Sequence, residues 1–321
     1  MAKSNFTAGI TGEERHDLPR ILGSTVTRKT KSGTRLADCL FRYLTLAFSL
    51  SIIALTLLIA YELYRNSLLS IEKFAWRFFW STTWDPVFQS FGALPFLYGT
   101  LVTSCIALVI ATPVGLGVAI FLSELAPRWL SDPIAFMVEL LAAIPSVIYG
   151  LIGIFVLVPV MRNLGAPYGV SMLTAGVLLA IMIVPFITSI SREVLMAVPR
   201  AQREAAISLG ATQWETTRVA VLPYARSGIV GSIFLALARA LGETMAVTMV
   251  IGNRPEIKLS FFEPGYTMAA LIANEFTEAT YDLYINALVE VGLFLFAVTI
   301  VVNAAARLLI LSVAKKVEVR E

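Results

Sequence analysis

Residues 96–122 read FLYGTLVTSCIALVIATPVGLGVAIFL, 27 residues without one charged side chain. A helix of that length rises about 40 Å at 1.5 Å per residue. The hydrocarbon core of a bilayer is about 30 Å thick and needs about 20 apolar residues. A soluble core has no use for such a run. Five further segments have comparable length and character: 44–64, 136–160, 171–190, 228–251 and 286–310. Across the 321 residues, hydrophobic types make up 57% and charged types 15%. An ordinary soluble domain is about half apolar and about a quarter charged. In lipid only helices or closed barrels satisfy the backbone, and runs this long are helices. The sequence therefore predicts an all-α polytopic membrane protein with six transmembrane helices. Its parts are an N-terminal tail over 1–43, a transmembrane domain over 44–310 and a C-terminal tail over 311–321.

Lys and Arg decide which loops stay in the cytoplasm. With the N-terminus inside, the inner segments hold 18 of them, the outer segments hold 6, and Arg239 lies within a span. The expected topology is N-in and C-in. The polar stretch before the first span is too long for a signal n-region, so that span is expected to act as its own insertion signal. Residues 1–25 read as a flexible tail, with His16 a solvated histidine. The basic run Arg28-Lys29-Thr30-Lys31 reads as cytoplasmic anchoring and contact with anionic lipid, not as a nucleic-acid patch. Cys39 and Cys105 have no metal spacing and read as inert thiols.

Two outer loops stand out. Residues 71–91 carry Phe74, Trp76, Phe78, Phe79, Trp80, Trp84, Phe88 and Phe91. Rings favour the membrane–water boundary, so a short helix lying there is expected, with docking of an external partner as the alternative. Residues 252–285 carry a net charge of −3 and a helical stretch over 267–279. This loop suits either docking or plain solvation. Pro113, Pro145, Pro159 and Pro185 lie within or beside spans and predict bent helices. Glu139 and Glu290 read as lying near helix ends, where hydrogen bonds between helices account for them.

The inner loop 191–227 encodes a helical hairpin. Pro199 suits a first turn, a helix follows from Arg200 to Leu209, and Gly210 can end it in the left-handed conformation. Thr212-Gln213-Trp214-Glu215 is a capping box for a second helix, which Leu222-Pro223 is expected to close. A short helix of this kind is marginal alone and needs a surface to pack on. Glu204-Ala205-Ala206, then Gly210, then Leu222-Pro223, resembles the EAA loop of ABC importer permeases. In that family this loop seats in a groove of a separate ATPase. The resemblance thus implies ATPase coupling by Glu204, Ala205, Ala206 and Gly210, and a type I, MetI-like architecture.

Three further stretches narrow the resemblance: 94–100 (LPFLYGT), 139–150 (ELLAAIPSVIYG) and 239–247 (RALGETMAV). Together they look like the phosphate-specific permeases of the Pst system. The long loop after the first span and Ala273-Asn274-Glu275-Phe276 favour the PstC-type subunit over its PstA-type partner. The resemblance covers about residues 40–310. It implies a multi-pass protein of the bacterial inner membrane. The implied partners are a homologous second permease, two ATPase subunits and an extracytoplasmic phosphate-binding protein.

Arg239 stands 11 residues into the fifth segment, and Glu243 follows one turn later on the same helical face. A charge at such depth costs about 2.5–3.5 kcal/mol on insertion scales and usually faces a pathway. The pair reads either as a substrate contact neutralised at rest or as a buried structural ion pair. The resemblance implies that Arg239 and Glu243 serve phosphate passage. Bringing a dianion into a cell at about −100 mV costs about 4.6 kcal/mol. The chain has no GxxxxGK[ST] loop, metal cluster or nucleotide cradle, so no cofactor is expected and ATP falls to a partner. The alternatives are a sulfate or phosphonate permease, an ion-coupled carrier with Glu243 as its proton site, or a membrane sensor of phosphate.

Overall fold

The computed structural model describes residues 32–318, with side chains over 38–311. The 1–25 tail, His16 and the basic run at 28–31 lie outside the described residues. In chain order the helices are α1 (Ser32–Arg65), α2 (Leu68–Phe74), α3 (Arg77–Trp80), α4 (Leu94–Ile120), α5 (Arg128–Ala142), α6 (Ser146–Ile152), α7 (Val158–Asn163) and α8 (Met172–Met196). They continue as α9 (Arg200–Ser208), α10 (Gln213–Thr216), α11 (Leu222–Leu241), α12 (Met245–Ile251), α13 (Met268–Glu275) and α14 (Asp282–Glu318). Three π-turns, Phe121–Leu125, Gly153–Leu157 and Thr217–Val221, join neighbouring helices or extend them. Among the described residues six helical stretches are long and apolar enough to cross a membrane: Asp38–Arg65, Leu94–Leu125, Ser146–Asn163, Met172–Met196, Gln213–Leu241 and Asp282–Leu311. One compact unit ends at Thr56 and holds the first part of α1. The second, from Leu57 on, holds everything described below.

The frame of that second unit is α4 against α8. Their contact is lined by Ala107, Ala111, Ala119, Ala175 and Ala180, all buried. Small residues let two backbones approach where lipid supplies no hydrophobic drive. The approach leaves no room for more: a Cβ at Gly176 would stand 2.5 Å from Ile106. Thr188 Oγ1 donates to the Gly115 carbonyl across the contact at 3.2 Å. Higher up, Thr100 Oγ1 accepts from the Met268 N–H at 3.0 Å and ties α13 to α4.

Three expectations need correction. The segment 136–160 is not one span, because Pro145 disfavours helical backbone at the residue before it. Helix α5 ends at Ala142, and the spanning stretch starts afresh at Ser146. The fifth segment likewise breaks after Leu241. Gly242 costs about 1 kcal/mol in a helix interior, and the helix restarts only at Met245. Leu222-Pro223 does not close the hairpin's second helix. The π-turn Thr217–Val221 carries the chain into α11, whose first turn holds Pro223, so the missing N–H is not needed there. The C-terminal tail from 311 is helical as far as Glu318, as part of α14.

The aromatic loop also differs from a helix that only lies at a boundary. Phe78 and Phe91 are fully buried and Phe74, Phe79 and Trp84 pack against them, with Phe96, Tyr266 and Tyr284 completing the cluster. Trp84 and Phe91 meet edge-on at 4.8 Å. Only Trp76, Trp80 and Phe88 of this group remain largely exposed. The helix α13 forms as expected, with Thr267 as its N-cap.

Gly99 provides a direct test of the packing. A Cβ there would stand 2.1 Å from the Tyr266 carbonyl, whereas a Cβ at Gly117 would meet nothing within 4 Å. Overpacking of this kind costs about 1–3 kcal/mol. Gly99→Ala is expected to lower the unfolding temperature of the detergent-solubilised protein, and Gly117→Ala to leave it unchanged.

Candidate functional site

The break in the fifth span decides where the candidate residues go. On an unbroken helix Arg239 and Glu243 would share a face. Helix α11 ends two residues beyond Arg239, and Glu243 falls in the turn between α11 and α12. The two form no ion pair, which corrects the expected pairing. Instead the Arg239 guanidinium lies over the Phe186 ring of α8, 4.3 Å from its centroid. A contact of this type contributes about 0.5–2 kcal/mol, more when water is excluded. Arg239 also sits in the last turn of α11, where a cation complements the helix dipole.

Glu243 has a different task. Its Oε1 accepts the Ala246 N–H at 3.3 Å, so it caps the restarted helix. The first N–H groups of a helix lack partners of their own, and a carboxylate there is favoured. Around the break, Ala240, Leu241, Ala246 and Val247 are buried, and Val247 and Ala246 belong to the core that includes Tyr149 and Ile183. On the other side of the same turn Arg239, Gly242 and Met245 are exposed on this chain.

The hairpin is built as the sequence reads up to Val221. Helix α9 spans Arg200–Ser208, Gly210 has φ +89°, and Thr212 and Glu215 exchange both bonds of a capping box. Glu204, Ala205 and Gly210 are exposed and Ala206 is half-buried. No residue of α9 is buried. Ile207, Leu209 and Trp214 add exposed apolar surface, Leu209 at 90%.

The acidic loop 252–285 is less free than its charge suggests. Glu275 accepts from Trp84 Nε1 at 2.7 Å and from the Tyr284 hydroxyl at 2.6 Å. Lys258 lies 3.5 Å from Glu256 and 3.4 Å from Glu263. The hydrogen bond to the Glu263 carboxylate raises the Lys258 pKa. Burial pushes the Tyr266 hydroxyl up to about 12, so it stays protonated while it accepts from Asn274. Glu290 was expected at a shallow helix end. It is 2% exposed, and its Oε2 has no hydrogen-bond partner among the described residues. Glu139, expected to bond between helices, is exposed near the end of α5.

Residues 111–318 match the family described as "Binding-protein-dependent transport system inner membrane component". The chain belongs to this family. Its relatives include proteins named "Phosphate transport system permease protein PstC". That of Mesorhizobium japonicum is 46% identical over 298 residues, covering 87% of this chain and 91% of the relative. That of Pasteurella multocida is 43% identical, covering 90% of this chain and 98% of the relative. Solved structures agree on the fold alone. An inward-facing MetNI methionine ABC transporter matches with a TM-score of 0.56 at 18% identity, over 72% of this chain and 99% of that one. A bacterial ABC transporter involved in alginate import matches with a TM-score of 0.57 at 16% identity, over 85% of this chain and 98% of that one. The chain is a multi-pass permease subunit of the inner membrane with the MetI-like ABC permease fold.

Nothing local in the chain marks Phe186 as the partner of Arg239. Its neighbour Pro185 lies inside α8 but says nothing of what lies against it. Thr212→Ala removes the cap that orders the second hairpin helix, a loss of about 1 kcal/mol. Faster hydrogen exchange is expected at the Trp214 and Glu215 amides, with exchange in α8 unchanged.

Proposed function

We propose that this chain is the permease subunit of an ATP-driven phosphate importer, and that phosphate passes along the open side of the break in the fifth span. One observation carries this reading. Arg239, Gly242 and Met245 lie exposed at an interruption of helical backbone. Lipid accepts neither a bare cation nor non-helical backbone. The strip therefore faces water or protein, and in an importer that is the pathway shared with a second, homologous permease.

Guanidinium matches phosphate in geometry and keeps its charge at any physiological pH. In the described state the Phe186 ring occupies Arg239 in place of an anion. That contact is worth only about 1 kcal/mol, so an arriving phosphate displaces it, and the ring can reclaim the cation as phosphate leaves. Glu243 supports this role indirectly, by capping α12 and holding the turn open beside Arg239. The relatives' names support phosphate as the cargo.

With both termini in the cytoplasm, the hairpin lies on the inner face. The exposed Glu204, Ala205 and Gly210, with Ile207, Leu209 and Trp214, form the surface that seats in an ATPase subunit. Two such ATPases would close on ATP and move the two permeases' hairpins. An extracytoplasmic phosphate-binding protein would deliver the anion to the outer loops. Alternating access then exposes the Arg239 strip first outward and then inward.

Labelled phosphate uptake into membrane vesicles tests this, with the chain co-expressed with its proposed partners. Uptake should need ATP and resist competition by sulfate. Loss of a charge-assisted hydrogen bond corresponds to about 10- to 100-fold, so Arg239→Gln should cut uptake by that much while the complex still assembles. Glu204→Lys should abolish uptake by loosening the ATPase. Uptake driven by a proton gradient without ATP would overturn the reading, and uptake that follows sulfate would overturn the cargo.

A further inference from the structure

We propose that Arg203 and Glu124 form the joint through which the hairpin moves the α4–α8 frame. The inference rests on the coupling role given above to the hairpin, and it concerns residues outside that surface.

The hairpin has two attachments of different kinds. Its second helix runs through a π-turn directly into α11, and Thr216, Thr217 and Val221 are buried along the way. That limb is fixed by continuous helix. The first limb has no such support, because α9 is nine residues long and none of them is buried. A helix of that length does not hold itself in water. It packs on the π-turn Thr217–Val221, and among the described residues its side-chain ties to α8 and the second span come from one guanidinium. Arg203 Nη2 donates to Glu124 Oε1 at 2.8 Å, and its Nε donates to Glu124 Oε2 at 3.2 Å. Nη2 also donates to the Leu195 carbonyl at 2.8 Å, and Nη1 donates to the Val198 carbonyl.

These partners belong to different elements. Leu195 is in the last turn of α8 and Val198 just beyond it, where carbonyls lack helical partners and a cation is favoured. Glu124 sits in the π-turn that ends the second span. That turn is anchored by Ser131 Oγ, which donates to the Leu122 carbonyl at 2.7 Å. Beneath the joint, Ala119, Leu195, Val198, Val221 and Ala225 form a buried cluster from α4, α8 and the start of α11. The side chains are mostly withdrawn from water, with Glu124 at 9% and Arg203 at 22% exposure. A two-bond fork also fixes direction, which a lysine point charge cannot do.

Arg203 precedes Glu204 directly, so displacement of the docking surface reaches α4 and α8 through this contact. Without it, the push would reach α8 only through the turn 197–199 and would have no tie to the end of the second span. The expected signature is uncoupling, not loss of ATP hydrolysis.

The test uses the whole complex in proteoliposomes, with phosphate uptake and binding-protein-stimulated ATP hydrolysis measured together. The wild-type complex is the control for the importer reading: if it shows no ATP-driven uptake, that reading fails by itself. Given wild-type transport, Arg203→Gln and Glu124→Gln should each lower phosphate moved per ATP by about tenfold, as for one lost charge-assisted bond. Arg203→Lys should fall between. The double variant should be no worse than the poorer single one, because both remove the same contact. Equal falls in uptake and hydrolysis, an additive double variant, or loss of the assembled complex in both single variants would make the pair a folding contact and overturn the joint.

Discussion

Backbone in a bilayer has to satisfy its own hydrogen bonds, and a span that breaks must do so against protein or water. The fifth span depends on this constraint. At its break the Glu243 N–H reaches the Ala240 carbonyl, the Glu243 side chain takes the Ala246 N–H, and the Thr248 N–H takes the Thr244 carbonyl. One side of the turn is sealed by the core, where α12 approaches α6 so closely that a Cβ at Gly150 would stand 2.5 Å from Met249 Sδ. The other side stays open, and that is where Arg239 emerges. A straight helix would have paired Arg239 with Glu243 and left no free cation face. The break separates the two charges, gives one to the Phe186 ring and the other to a helix end, and so leaves the guanidinium only loosely engaged.

The same separation accounts for the division of labour along the chain. The α4–α8 contact is built largely from alanines and glycines and is closely packed. The hairpin beyond it is exposed and short, continuous with α11 on one side, joined to α8 by the turn 197–199 on the other, and tied to Glu124 by an ion pair. On the proposed coupling, a push on the hairpin would reach α11, which carries Arg239, and the frame, which carries Phe186. The two partners of the cation–π contact lie at the ends of these two routes. Relative movement of α11 and α8 would make or release the contact that competes with an anion.

Much of this was legible in the sequence wherever the signal was local. Length and apolar character located the spans. Pro199, Gly210, Thr212 and Glu215 specified the hairpin, because each acts within a few residues through a fixed φ, a left-handed turn or a side-chain cap. The breaks at Pro145 and Gly242 were readable in principle. Pro145 signals a bend but not a full break, and Gly242 is hidden because an apolar run keeps its hydropathy through an interruption. What was not legible is tertiary. Arg203 meets Glu124 across 79 residues of chain. Phe186 meets Arg239 from another span. Five of the eight rings in the aromatic loop turn inward because the rings of 266 and 284, far along the chain, complete its core. Glu275 belongs to that core's polar edge, so part of the loop's acidity is structural.

The central claim is that the open side of the fifth-span break lines the pathway. Gly242 allows a direct measurement, since a Cβ there would meet nothing closer than 3.9 Å. In a chain with Cys39 and Cys105 replaced by serine, Gly242→Cys would be exposed to a membrane-impermeant thiol reagent from each side of the reconstituted complex. The account predicts labelling from opposite sides in the nucleotide-free and ATP-closed states, slowed by phosphate. A thiol at 242 that stays unreactive from both sides in every nucleotide state would contradict it.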